Sequence, residues 1–355
     1  MNSDMQKIID PVDVSLLKAE LTPDKKLCNT NKAGNEIYVV DAFDAPNVVR
    51  EVGRLREVSF REAGGGSGLE ADLDEFDLME KPYKQIIIWD PESESMLGGY
   101  RFILGPDVKI KEDGQPHLAT SHMFHFSDVF IRDYLPHVIE LGRSFVTPEY
   151  QSSKAGAKAI FALDNLWDGI GAVMMQHPGI VYLFGKMTMY PEYDRSCRDL
   201  IIHFLWKHFA DKDQLVRPYK LEMPHIDGRL LDLILKDDDF KSDYRNLKNA
   251  VRSLGTSIPP LINTYMNSSP TMKMFGTAVN DEFSDVEETG ILVGFNEMYA
   301  DKRDRHKEPY VKHIVNLMRE RFPLLKDEFA EKFASRKDVR REKAMSKIKK
   351  EKVEP

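Results

Sequence analysis

The chain has 355 residues, 42% of them apolar, and a formal net charge of −8 from 50 basic and 58 acidic side chains. That supplies apolar matter for one large core or two smaller ones, and the acidic balance argues against bulk nucleic-acid binding. Two cysteines, Cys28 and Cys197, imply neither a disulfide framework nor a thiolate metal site.

No apolar run approaches the roughly 18–20 residues needed to span a bilayer. The opening MNSDMQKIID lacks the apolar stretch of a secretory signal, so the expectation is a soluble, cytoplasmic protein. Residues 1–35 are polar and weakly patterned and read as a lead-in. EIYVVD (Glu36–Asp41) reads as a first strand, and Ala45–Ala63 carries Val48, Val49, Val52, Leu55 and Val58 at helical spacing before Gly64–Gly66. Ser67–Met79 reads as an acidic loop. KQIIIWD (Lys84–Asp90) and MLGGYRFIL (Met96–Leu104) form the two strands of a hairpin around the turn-forming PESES. Lys109–Tyr134 is a long irregular connection.

VIELGRSFVTPEY (Val138–Tyr150) then alternates as a strand but carries Glu140 and Arg143 three apart, which a pleat of period two places on opposite faces. Charges within an apolar strand are costly unless each has a partner or a task. The small-residue loop QSSKAGA (Gln151–Ala157) and a helix over 158–177 follow, ending before Pro178. Strand, small-residue loop and helix together can present backbone N–H groups to a phosphate. Beyond lie an apolar strand at Gly179–Met189, helices at Asp194–Phe209 and Arg229–Leu254 that read as an insertion, and strands at Thr271–Val279 and Gly290–Met298. The rest, 301–355, is helical and charged. Between Arg336 and Lys352 nine basic residues stand against three acids. This run is either a solvated tail or a contact to anionic lipid at about 1 kcal/mol per basic residue.

Asp72, Asp74 and Asp77 lie in EADLDEFD (Glu70–Asp77), which lacks the spacing of a calcium loop. Arg56, Arg101 and Arg143 occupy helix or strand interiors, where arginine needs a carboxylate. Those three acids and Glu140 are the candidate partners, in an ion-pair network, a substrate-carboxylate clamp, or both. His117, His122 and His125 cluster without a metal-ligand context, and no metal site is expected. His208 and Asp213, five apart, read as a chance match to a catalytic His–Asp pair. No G-x-S-x-G elbow, P-loop or G-x-G-x-x-G after a strand occurs.

Taken in order, LREVSF (Leu55–Phe60), DLDEFD (Asp72–Asp77), GGYR (Gly98–Arg101), ELGRSFVTPEY (Glu140–Tyr150) and the stretch Ile258–Val293 resemble the hemolysin-like N-acyltransferases. That group includes the acyl-carrier-protein-dependent ornithine-lipid and glycine-lipid synthases. The resemblance covers about residues 38–300 and extends more distantly to the acyl-homoserine-lactone synthases. It implies an α/β (α+β) fold, a GNAT-like mixed sheet flanked by helices over 36–300, with a helical insertion at about 194–254 and the basic tail outside it.

It also implies an enzyme that moves a 3-hydroxy fatty acyl group from the phosphopantetheine thioester of acyl carrier protein to an amino acid, glycine favoured over ornithine. No tightly bound cofactor is expected. By the resemblance Arg56, Asp74, Asp77, Arg101, Glu140 and Arg143 fall on the polar positions common to both groups, and Glu140, Arg143, Asp74 and Asp77 are the candidate catalytic residues. Arg56, Phe60, Arg101, Phe145, Val146, Lys154 and Gly156 are the candidate substrate contacts, with a backbone N–H near Phe145 or Val146 for the oxyanion. Lys154 and Lys158 are the basic side chains nearest the loop for an acidic carrier. Where the lactone synthases carry a tryptophan after the position of Phe60, this chain has the glycine-rich Ala63–Gly68, which counts against an S-adenosylmethionine pocket. The alternatives are a signal synthase of that kind and a non-catalytic lipid-binding protein.

Overall fold

The computed structural model describes residues 5–151, 157–321 and residue 332. In chain order these form α1 (Val14–Glu20), β1 (Lys26–Asn29), β2 (Glu36–Val40), α2 (Pro46–Glu62), α3 (Glu75–Leu78), β3 (Lys84–Asp90), β4 (Ser95–Leu104), β5 (Phe124–Phe126) and β6 (Val138–Val146). There follow α4 (Ala157–Gln176), β7 (Tyr182–Met189), α5 (Arg195–Phe209), β8 (Val216–Pro218), α6 (Gly228–Asp232), α7 (Phe240–Ser253), α8 (Pro260–Met266), β9 (Lys273–Asn280), β10 (Val286–Gly294) and α9 (Ala300–Arg321). The class is the expected mixed α/β one, with sheet flanked by helices. Among the described residues no helix is long and apolar enough to cross a membrane.

The chain divides into two units. One comprises the described residues of Met1–Val108, Asp133–Tyr182 and Ala300–Pro355, the other Lys109–Arg132 and Leu183–Tyr299. In the first, β1-β2-β3-β4-β6 lie side by side, each antiparallel to its neighbour. Every residue of β3 after Lys84 is buried, because the sheet is covered on both faces. Gln85 meets Arg56 of α2 on one face. Ile86 and Ile88, on the other, crowd Gly169 of α4, where an added Cβ would come 2.5 Å from the Ile86 methyl. Helix α9 packs on α4. Its His306 pairs with buried Asp168 at 2.8 Å, and Asp168 also accepts from the Asn31 main chain at 2.8 Å.

In the second unit β9 and β10 form an antiparallel hairpin and β5 pairs with β8. Phe126, Phe130, Phe184 and Phe275 form an aromatic core with centroids 5.1–6.1 Å apart. A second cluster, Phe204, His208, Phe240 and Tyr244, joins α5 to α7.

The lead-in contains α1, capped by Asp13, and the edge strand β1. Two local expectations change. The expected helix at Arg229–Leu254 is two helices, because Asp239 of the run Asp237–Asp239 accepts from Ser242 N as the N-cap of α7. The acidic loop contains α3, closed by a capping box in which Asp74 accepts from Phe76 N and Asp77 from Asp74 N.

Gly98 and Gly99 of β4 let β6 come close: a Cβ on Gly98 would lie 2.4 Å from the Phe145 carbonyl oxygen, whereas one on Gly142 would meet nothing within 4 Å. G98A is therefore expected to cost about 1–3 kcal/mol in denaturant unfolding, and G142A to stay within about 0.5 kcal/mol of the unaltered chain.

Candidate functional site

The apolar stripe of α2 turns Arg56 inward as well, and its side chain is fully buried. A guanidinium there must find acceptors. Its Nη1 donates to both Asp77 oxygens at 3.3 Å and to the Asp72 carbonyl at 3.4 Å, and its Nη2 donates to Gln85 Oε1. Gln85 returns a bond to Asp77 Oδ1 at 2.9 Å. From β4, directly opposite Gln85, Arg101 Nη1 donates to Asp74 at 2.6 and 2.7 Å and to Asp77 at 3.0 Å. Arg143 of β6 closes the circuit, 3.1 Å from Asp72 and 3.8 Å from Asp74. Three cations and three carboxylates thus neutralise one another under the acidic loop.

Burial pushes the Asp77 carboxyl up, but Arg56 and Arg101 outweigh it and hold the group at about 2. At Asp72 burial wins over Arg143 and Arg56, and the carboxyl is raised. Burial opposes the charge of Arg101, yet Asp77 and Asp74 push its pKa above the ordinary value. The three arginines differ in reach: their side chains are 0% (Arg56), 3% (Arg101) and 16% (Arg143) exposed.

Between Gly99↔Phe145 and Arg101↔Gly142 the pairing of β4 with β6 slips by one residue. Arg143 and Ser144 together oppose Tyr100 in a β-bulge, with Arg143 at φ +47°. This corrects the expected alternation. Glu140, opposite Ile103, shares the face of Arg101 and Gly142. The bulge brings Arg143 to Asp72 and Asp74 on that face instead of leaving it opposite Glu140. Such a backbone in a non-glycine residue costs on the order of 1–3 kcal/mol, offset here by the two carboxylates.

Glu140 is 2% exposed, and the hydroxyl of buried Tyr83 donates to its Oε2. The Tyr83 ring lies under Arg101, whose guanidinium carbon is 5.1 Å from the centroid, and meets Phe76 edge-on at 5.6 Å. Tyr83 and Gln85 were not singled out from the sequence. The one signal for Gln85 is a polar residue directly before the apolar run Ile86–Trp89, and Tyr83 sits just after Pro82 with no distinguishing pattern.

The structure brings together Arg56, Asp74, Asp77, Arg101 and Arg143, and links Glu140 to them through Tyr83. Phe60 is buried on α2, and its carbonyl accepts from Gly65 N at 2.8 Å. The following loop is pinned by buried Glu57, which accepts from Ser67 N at 3.0 Å and Gly68 N at 2.8 Å. Phe145 lies over Gly99, and the Val146 carbonyl accepts from Ser59 Oγ at 3.2 Å. Lys154 and Gly156 lie outside the described residues, as do most of the loop Gln151–Ala157, the Lys158 side chain and the basic tail. His208 pairs with Asp243 and Asp213 with Lys273, so that five-residue spacing joins nothing. Among the described residues no group of three or more His, Cys, Asp or Glu is placed to hold a metal.

Replacing Asp77 by Asn would leave two buried guanidinium groups short of a carboxylate, and D77N is expected to lose about 3–5 kcal/mol. The linkage has a definite sign. A carboxyl held at about 2 in the fold, against 3.8 unperturbed, contributes stability above the unperturbed value and loses it as pH falls through about 2. Urea midpoints should therefore drop on acidification less steeply in D77N than in the unaltered chain.

Residues 55–159, which hold every member of this circuit, match the Acetyltransferase (GNAT) domain family. Glycine N(alpha)-acyltransferase of Phocaeicola vulgatus is 56% identical over 315 residues, 89% of this chain and 97% of that protein. The Bacteroides thetaiotaomicron protein of the same name is 58% identical over 308 residues, 86% of this chain and 91% of its own. A solved structure of a CoA-dependent acyl-homoserine lactone synthase, BjaI, with SAM and isopentyl-CoA, covers 78% of this chain and 90% of its own at 12% identity. Its TM-score of 0.34 makes that likeness too distant to argue from. At these identities over nearly its whole length, the chain belongs to the family of the two glycine N(alpha)-acyltransferases and is an acyltransferase.

Proposed function

We propose that the protein transfers a 3-hydroxy fatty acyl group from acyl carrier protein to the α-amine of glycine, the opening step of an amino-acid lipid. The observation that carries the chemistry is Glu140, a buried carboxylate on β6 beside the Arg143 bulge, with open space over neighbouring Gly142. The names of the two relatives support glycine as acceptor. The carrier-bound donor rests on the sequence resemblance.

Glycine is an ammonium ion near neutral pH and must lose a proton before it can attack. Glu140 takes that proton, directly or through water. The freed amine adds to the thioester carbonyl, and the resulting oxyanion is held by a main-chain N–H of the bulged strand near Phe145 or Val146. As the C–S bond breaks, the thiolate collects the second nitrogen proton. The products are N-acylglycine, the carrier thiol and one proton, passed from Glu140 to solvent. The carrier, an acidic protein, docks against Lys154 and Lys158. The basic run at 336–352 keeps the enzyme at the anionic membrane face where the product is used.

The test incubates the purified protein with 3-hydroxypalmitoyl carrier protein or the matching coenzyme A thioester, and a panel of amino acids, with products read by mass spectrometry. N-acylglycine from the carrier thioester is expected. E140Q should lower kcat by about 10²–10⁴. On aminooxyacetate, whose nitrogen is already unprotonated near neutral pH, the variant should recover most of the rate. Near wild-type turnover of glycine by folded E140Q would remove Glu140 as the base.

A further inference from the structure

We infer that Tyr83 is a positioning residue for Glu140, and that the acidic loop acts on the chemistry through it; this rests on the reading of Glu140 as the base. A carboxylate at the end of a flexible side chain serves as a base only if its lone pairs point at the substrate nitrogen. Glu140 has two oxygens and about four lone-pair sites, and the Tyr83 hydroxyl occupies one on Oε2. What makes that contact directional is the way the phenol itself is held.

Tyr83 is 1% exposed. Its main-chain N–H donates to the Phe76 carbonyl of α3 at 2.8 Å. Phe76 also meets the edge of its ring, at 76° between planes. The Arg101 guanidinium covers one face of that ring, and Arg101 is fixed in turn by Asp74 and Asp77. A cation–π contact between desolvated groups is stronger than one in water and favours one ring position. The chain of contact runs from the capping box of α3 through Arg101 and Phe76 to the phenol, and from the phenol to the carboxylate. Asp74 and Asp77 therefore need not touch substrate to matter for turnover.

Tyr83→Phe keeps the ring under Arg101 and removes only the hydroxyl. The expected result is a loss in kcat of about tenfold or more with KM for glycine and for the acyl donor within about twofold, in a chain that still folds cooperatively at a lowered thermal midpoint. In an E140Q background the same substitution should cost nothing further, because both changes disable one unit. Aminooxyacetate should restore the Y83F rate as it restores that of E140Q. Wild-type kcat in Y83F, or an equal proportional loss with and without Glu140, would overturn the inference.

The two failures are distinguishable. Full glycine turnover by E140Q removes the base and Tyr83 with it, while impaired E140Q beside unimpaired Y83F removes Tyr83 alone. Should Y83F not fold, Phe76→Leu removes the ring that meets Tyr83 edge-on and leaves Tyr83 and Glu140 in place. It should lower kcat for glycine severalfold with recovery on aminooxyacetate, whereas wild-type kcat overturns the inference that the acidic loop acts through Tyr83.

Discussion

The structure around the site depends on a buried circuit of arginines and aspartates centred on Asp77. Two guanidinium groups converge on that carboxylate from different elements, Arg56 from α2 and Arg101 from β4. Such pairs are poor sources of net stability, because desolvation consumes most of the Coulomb gain. Their effect is to allow few arrangements. Asp77 caps α3, bonds Gln85 of β3 and meets both arginines, so helix, hairpin and acidic loop can be set down together in one way only. The two aspartates show the balance: Asp77, with two cations, is held low, while Asp72, faced chiefly by Arg143 at the rim, is raised by burial; burial also lowers the pKa of Arg56 despite Asp77 beside it.

The bulge on β6 is the second constraint, and it follows from the first. An extra residue in a strand would ordinarily be placed where backbone geometry is cheapest, yet here a non-glycine residue adopts φ +47°. Asp72 and Asp74 hold its guanidinium on the loop side, which requires the chain to turn there. Gly98 and Gly99 opposite permit the approach that follows. Electrostatics on one strand and missing side chains on the next thus produce a local break in the ladder, two residue pairs removed from the carboxylate proposed for the chemistry.

Much of this was legible beforehand, for physical reasons. The strands at 84–90 and 96–104 and the helix at 45–63 were visible because their apolar residues repeat with the right period. The need of Arg56, Arg101 and Arg143 for carboxylates followed from burial alone. What failed was period two at Arg143, since a bulge leaves no mark in a single sequence when the residue in the left-handed conformation is not glycine. The same rule describes β10, where consecutive Glu287 and Glu288 take different partners, Arg198 of α5 and Lys186 of β7. Tyr83 was hidden for another reason. Its importance lies in two partners 18 and 57 residues away, and no local pattern encodes them.

The two thiols bear on the choice between direct transfer and a covalent acyl-enzyme. A thioester can pass its acyl group to a cysteine before an amine, but only if the thiolate is accessible and available near neutral pH. Cys28 and Cys197 are both fully buried, and burial first of all pushes each up to about 12. Cys28 faces the charge of Asp168 as well, and Cys197 that of Asp194. Neither thiol can serve as the first acceptor. That fits the direct transfer proposed above, in which the substrate amine is itself the nucleophile and the protein has one proton to remove and one oxyanion to hold. A carboxylate set beside a break in a β-ladder is suited to that pair of tasks.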